Sequence, residues 1–214
     1  MIIDHNHPLY KVKRNKQGGD KYNGAYYYSK DIVKYIIPNI KTDRNWVTVR
    51  LPECEEDISH SIVFIHNNRN PNYYSYLKNY KDIIAVCSVH STANNISFYC
   101  PTIFLPLSVN IESVKRYRCK KTKDSAFAGR KSKITNQVPK ACDILTGMSQ
   151  TALIKEMAKY KKIYAVGRTA IQAKILGCEI GVYDNKYPDV NFWKPFDCSE
   201  AVKLLQSKLD EFDK

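Results

Sequence analysis

Seven short apolar segments alternate along this chain with segments of helical pattern, and few folds accommodate that order. The predicted strands are Val47–Val49, Ile62–Ile65, Ile83–Val86, Ile103–Leu105, Ser125–Ala128, Ile163–Val166 and Glu179–Val182. Their residues are apolar on both parities, as strands are when helices cover both faces of a sheet. Helical pattern occupies Ser29–Ile37, Asn72–Tyr80, Glu112–Tyr117, Thr151–Tyr160, Thr169–Leu176 and Ser199–Phe212. Ser29 suits an N-cap, Pro38 stops the first helix, and Gly177 suits the end of the fifth. The last helix carries Val202, Leu205 and Leu209 on one stripe, with Leu204 alongside. Strands alternating with helices predict an α/β fold built on mostly parallel sheets.

A chain of 214 residues can form one large domain or two of ~100 residues each. Four predicted strands precede residue 107 and three follow it. The expected architecture is therefore two Rossmann-like halves with a cleft between them: 1–106, then 107–198, with residues 199–214 as a C-terminal helix. The connector after the division is strongly basic. From Lys115 to Lys133 there are nine Lys/Arg and one acid, Asp124.

Charge points the same way for the whole chain. Lys and Arg number 34 against 21 Asp and Glu, a net +13, which favours polyanionic partners: nucleic acid, an anionic membrane surface or phosphorylated substrates. The seven cysteines contain no C-x-x-C, so neither a zinc site nor a disulfide framework is expected. Several sit in apolar runs, as Cys87 and Cys178 do, which suits a reducing compartment. No signal-peptide core opens the chain, and no run approaches 18 apolar residues. A cytoplasmic protein without a transmembrane segment is the expectation.

Two strand ends offer chemistry. In residues 163–184 an apolar strand runs into Gly167-Arg168-Thr169 and a helix begins at once, a turn that presents free amides and a positive dipole end to a phosphate. In residues 125–131 another strand ends in Gly129-Arg130-Lys131, with Lys133 close behind. Two strands that each end in Gly-Arg suggest two cations aimed at one diphosphate. A loop at Gly18 and Gly19 could close over a phosphate or an acceptor. Ala25-Tyr26 replace the Lys and Ser/Thr of a phosphate loop there, so triphosphate hydrolysis is not indicated.

For proton transfer the candidates are His66 and His90, each at the carboxyl end of a predicted strand, with Asp43 as a weaker base. His5 and His7 read as solvated residues of a polar arm. No Asp-x-Asp is present to hold a metal–diphosphate complex, so neutralisation by cations and amides is the consistent alternative. No nucleophile stands in a G-x-S-x-G turn. The 16 tyrosines, clustered at residues 26–28 and 73–80, are weak support for base stacking.

The stretches SAFAGR and ILTGMSQTALIKEMAKYKKIYAVGRTAIQAKILGCEIGVYD resemble the donor-binding half of GT-B glycosyltransferases. FLPLSVNIESVKRY resembles that family's crossover segment, with Ser108 for the usual Gly and Asn110 for the usual Asp. The similarity covers residues 103–184. It implies a nucleotide-sugar donor, UDP-glucose first, and no metal. It assigns Gly129, Arg130 and Lys133 to the donor diphosphate, and Gly167, Arg168 and Thr169 to phosphate and nucleoside contacts. Gln172 falls where the family often has the Glu that binds ribose. The small size and basic surface resemble bacteriophage DNA glycosyltransferases, which imply a hydroxymethylated pyrimidine as acceptor, flipped from the duplex. Lys115, Arg116, Arg118, Lys120, Lys121 and Lys123, with Lys11–Lys16, would then grip DNA phosphates. Two alternatives stand beside this: a glycosyltransferase acting on a cell-envelope glycan or lipid-linked sugar, and a non-catalytic nucleotide- or nucleic-acid-binding module.

Overall fold

The computed structural model describes residues 1–3, 24–48, 58–66, 71–186 and 189–212. The fold is α/β, and the chain divides into two compact units. Among described residues, unit 1 comprises 1–3, 28–48, 58–66, 71–107 and 198–212, and unit 2 comprises 24–27, 108–186 and 189–197.

Unit 1 is built on a five-stranded, all-parallel sheet: β1 (Ile2–Ile3), β2 (Asn45–Val47), β3 (Ser61–Ile65), β4 (Ile83–Cys87) and β5 (Thr102–Phe104). Their order in space follows their order in the chain. Every residue of β4 is buried, and four of five in β3, which explains their apolar composition on both parities. On one face Val47, Val63, Ile83, Ala85 and Cys87 pack with Tyr74 and Leu77 of a 3₁₀ segment (Pro71–Asn79) and with Ala93 and Ile96 of α2 (His90–Ile96). On the alternate parity, Trp46 and Phe64 stack at 6.1 Å.

The helix expected at Ser29–Ile37 has three parts. An α-helix, α1 (Gly24–Asp31), widens into a π-turn at Ile32–Ile36 and tightens into a 3₁₀ turn at Ile37–Asn39, where Pro38 ends it. Against that π-turn packs α6 (Cys198–Phe212), which buries Ala201, Leu205 and Leu209 at four-residue spacing. Gln206 secures it: the side chain accepts from Lys41 N at 2.7 Å and donates to Lys41 O at 3.2 Å.

Unit 2 carries a four-stranded parallel sheet of β6 (Lys123–Ala128), β7 (Asp143–Leu145), β8 (Tyr160–Tyr164) and β9 (Glu179–Gly181), in the order β7-β6-β8-β9. Chain and space therefore disagree at one place. The chain steps from β6 to β7 on one side, then crosses to β8 on the other, which makes the β6/β8 junction a topological switch point. Three helices serve this unit: α3 (Ile111–Lys115), α4 (Gln150–Met157) and α5 (Gly167–Ile175). Asn110 caps α3 through Ser113 N, and Ser149 caps α4 through Ala152 N. At the other end of α5, Gly177 takes φ +79°. Its N–H reaches Lys174 O and the Cys178 N–H reaches Ala173 O, both at 2.9 Å, a Schellman closure.

Candidate functional site

The carboxyl edge of the unit 2 sheet collects the sequence elements singled out for phosphate binding. Strands β6 and β8 are direct parallel neighbours, with Phe127 opposite Tyr164. Gly129-Arg130 and Val166-Gly167 therefore leave the sheet side by side, one strand on each side of the switch point. Open α/β sheets bind ligands in the crevice at such a point. Arg130 is exposed, and a 3₁₀ turn (Lys131–Lys133) follows it, with both lysines exposed. Among the described residues none of these three cations has an ion-pair partner.

Helix α5 begins at this edge with Gly167 at φ +62° and Val166 at its N-cap position, where no side chain caps the first amides. No acid occupies its first turn. The positive end of the helix dipole is thus left unneutralised from within. Gly167 and Thr169 are half-buried and border this end.

Arg168 and Gln172 are turned inward. Arg168 is 7 % exposed and Gln172 2 %. Both meet Gln150, the first residue of α4. With its amide oriented to face donors, Gln150 Oε1 accepts from Gln172 Nε2 at 2.8 Å, Arg168 Nη2 at 2.9 Å and Arg168 Nε at 3.2 Å. One glutamine thereby joins the amino ends of α4 and α5, with the guanidinium between them. Arg168 faces the interior, while Arg130 meets solvent. Sequence reading missed Gln150, although Ser149-Gln150 after Gly147 is a helix-start signal.

Tyr27 was missed as well. Its hydroxyl accepts from Gln150 N at 3.2 Å and so satisfies one of the orphan amides that begin α4. Nothing in the run of three tyrosines at 26–28 marks the middle one for this contact.

The basic connector is committed differently. Lys121 Nζ donates to the carbonyls of Ala158 and Leu176, each at 2.9 Å, and lies 3.2 Å from Cys178 Sγ. Arg118 Nε donates to Ile175 O. These carbonyls close the carboxyl ends of α4 and α5, where a cation is favoured by the dipole. Lys123 bonds Glu156 at 2.8 Å and Tyr160 Oη at 3.1 Å, contacts that hold its ammonium above the usual lysine range. Lys115 pairs with Glu112, and Arg116 donates to the Tyr117 hydroxyl. Lys120 is exposed. Arg118, Lys121 and Lys123 thus tie the connector to other elements of unit 2, while Lys115, Arg116 and Lys120 stay at the surface.

In unit 1 the parallel strands place the three candidate bases at two different edges. His66 follows β3 at the carboxyl edge. Its Nε2 lies 3.2 Å from Thr48 O, which can only accept from it. The Tyr28 ring meets its face edge-on at 4.9 Å, and Tyr28 Oη lies 3.2 Å from Ser88 Oγ at the end of β4. His90, the first residue of α2, is exposed and stacked on Phe104 with centroids 3.5 Å apart. Asp43 precedes β2 at the opposite, amino edge, where it faces His60. Gly18, Gly19, His5, His7 and Lys11–Lys16 lie outside the described residues.

No cluster of three or more His, Cys, Asp or Glu that could hold a metal ion occurs among the described residues. No helix there is long and apolar enough to cross a membrane. The thiols of Cys87 and Cys100 are pushed by burial to about 12 and about 11, which makes them packing residues rather than nucleophiles. The sequence matches no protein-family model, and it matches no curated protein.

Proposed function

We propose that this chain is a metal-independent glycosyltransferase of GT-B type that takes its sugar from a nucleotide-sugar donor such as UDP-glucose. The observation that carries the reading is the pair of adjacent strands β6 and β8, each running into Gly-Arg at the one switch point of the unit 2 sheet. The donor diphosphate lies over that edge, with Arg130 and Lys133 on its outer oxygens and the first amides of α5 beneath. Gly129 and Gly167 keep side chains away from it, and Arg168, fixed by Gln150, adds field without touching it. Unit 1 takes the acceptor in this reading.

The step itself balances without a metal. A general base, for which His66 is the candidate from the sequence, removes the acceptor hydroxyl proton, the oxygen bonds to the anomeric carbon, and the bond from that carbon to the diphosphate breaks. The leaving diphosphate carries the electron pair, and the cations and amides named above neutralise it. The acceptor that suits a chain of net +13 is a hydroxymethylated pyrimidine in DNA, as in phage-type DNA modification.

A second reading is favoured by the inward turn of Gln172, which stands where a ribose-binding carboxylate would be in the resembled family. There the chain binds nucleotides without transferring a sugar. One experiment separates the two. The protein is incubated with UDP-glucose and duplex DNA containing 5-hydroxymethylpyrimidines, and the digested nucleosides are weighed by mass spectrometry. A hexose on the modified base, lost with Arg130→Ala, supports transfer to DNA. Hydrolysis of the donor without transfer redirects the acceptor to envelope glycans. Binding with neither outcome supports the second reading. Arg130 is the better control than Arg168, because removing a 7 %-exposed guanidinium would disturb the helix pair as well as the site.

A further inference from the structure

Away from the proposed site, at the amino edge of the unit 1 sheet, three residues occupy one level across three strands. Asn45, Ser61 and Ile83 are paired in register at the start of β2, β3 and β4. Immediately before them stand Arg44, His60 and Asp82. Arg44 Nη1 donates to Asp82 Oδ1 at 2.8 Å and to Asp82 O at 3.1 Å. His60 Nδ1 lies 2.5 Å from Asp82 Oδ2, and His60 Nε2 lies 3.2 Å from Asp43 Oδ1. Backbone bonds tie the same turns, from Asn45 N to His60 O and from His60 N to Lys81 O, each at 3.0 Å.

Two features set this rung apart from an ordinary surface ion pair. Both imidazole nitrogens face carboxylates, so the arrangement requires the doubly protonated ring: a neutral histidine would turn a lone pair toward one of them. His60 and Asp82 also both take positive φ, +55° and +53°, a conformation that L-residues other than glycine adopt at a cost. They are the two described non-glycine residues with positive φ, and they are bonded to each other.

We propose that the Arg44–His60–Asp82 rung, with Asp43, is a proton-dependent clasp that closes the turns before β2, β3 and β4 when His60 is charged and releases the Asp43 turn when it is not. The charged groups facing His60 are Asp82 beyond one flank and Asp43 and Arg44 beyond the other. The hydrogen bond to Asp82 is the largest influence holding the imidazolium above its ordinary 6.5, against a smaller loss of hydration. The Asp82 carboxyl is held below 3.8 chiefly by the same bond and by Arg44. A raised histidine stabilises the folded state fully below pH 6.5, and that contribution disappears as pH rises through the folded value. The lowered Asp82 contributes above pH 3.8 and fails as pH falls through its folded value. The clasp is therefore shut between these limits.

The test is hydrogen exchange of the full chain read at residues 42–45, 58–60 and 80–82, corrected for intrinsic rates, from pH 5.5 to 9, beside an NMR titration of the histidine rings. Expected is a loss of protection at the Asn45 amide, centred above pH 6.5 and coincident with the His60 titration, with the His60 amide less affected. His60→Gln should abolish the step. Asp43→Asn, which leaves the Asp82 bond in place, should shrink it and move the His60 titration downward. A His60 that titrates at or below 6.5, or a step that survives either substitution unchanged, overturns the proposal. If His60→Gln fails to fold, the Asp43→Asn shift alone decides.

Discussion

The Lys121 ammonium stands 2.9 Å from the Leu176 carbonyl oxygen, so a residue of the basic connector closes the carboxyl end of α5. Its second carbonyl, Ala158, ends α4. Replacing Lys121 with Met keeps the stem and removes three donors from a partly buried position. The expected cost is about 1–3 kcal/mol of stability by urea denaturation. Affinity for duplex DNA, measured at several salt concentrations, should hardly move, because this charge is already engaged.

Arg130 and Lys133 should behave in the opposite way. Both are exposed and project from the edge at the switch point. Arg130→Ala and Lys133→Ala are each expected to weaken UDP-glucose binding roughly tenfold, read by calorimetry, with unfolding midpoints within error of the parent. A fall in midpoint alongside unchanged affinity would instead place both residues in the fold.

Two glycines of unit 2 make a paired test. A Cβ at Gly181 would overlap the Tyr164 ring, and that ring is buried beside Phe127 and Tyr183. Gly181→Ala should therefore cost about 1–3 kcal/mol through forced repacking. At Gly167 a Cβ meets nothing within 4 Å, but φ is +62°. Gly167→Ala should cost about 1–2 kcal/mol by backbone conformation alone, and a D-alanine at that position should restore it.

Tyr27→Phe removes the acceptor for Gln150 N while keeping the ring. A loss of about 1 kcal/mol is expected, with faster exchange at the Gln150 amide than at Ala152, whose cap from Ser149 is untouched. Equal exchange at both amides would show that water replaces the phenol at no cost.

β3 and β4 are legible in the sequence because they are buried along their length and apolar on both parities; β6 and β8 begin two and three residues before the expected Ser125 and Ile163, where exposed Lys123, Asp124 and Lys161 hide the strand. Glu179–Val182 and Ile103–Leu105 agree with β9 and β5 to within one residue. β7 was not foreseen: it has three residues, of which Asp143 and Ile144 are exposed. α2 was missed because HSTANNI has no apolar period and few good helix formers; it stands on the burial of Thr92, Ala93 and Ile96 against the sheet. At the candidate site, Gly-Arg after two strands was visible, but their adjacency was not, because strand order is a long-range property. The inward turn of Arg168 depends on Gln150, eighteen positions away, and the connector cations depend on which helix ends lie within reach. Neither leaves a local pattern.

The packing of α6 on the π-turn at residues 32–36 sets an order of events during synthesis. Strands of unit 1 pair with their chain neighbours and can assemble as they emerge, which is the fast, local part of the fold. The helix that packs on this π-turn is made about 165 residues later, as the Lys41–Gln206 contact records. Throughout the making of unit 2, an apolar patch of unit 1 waits uncovered, and that interval is when a chaperone would find this chain.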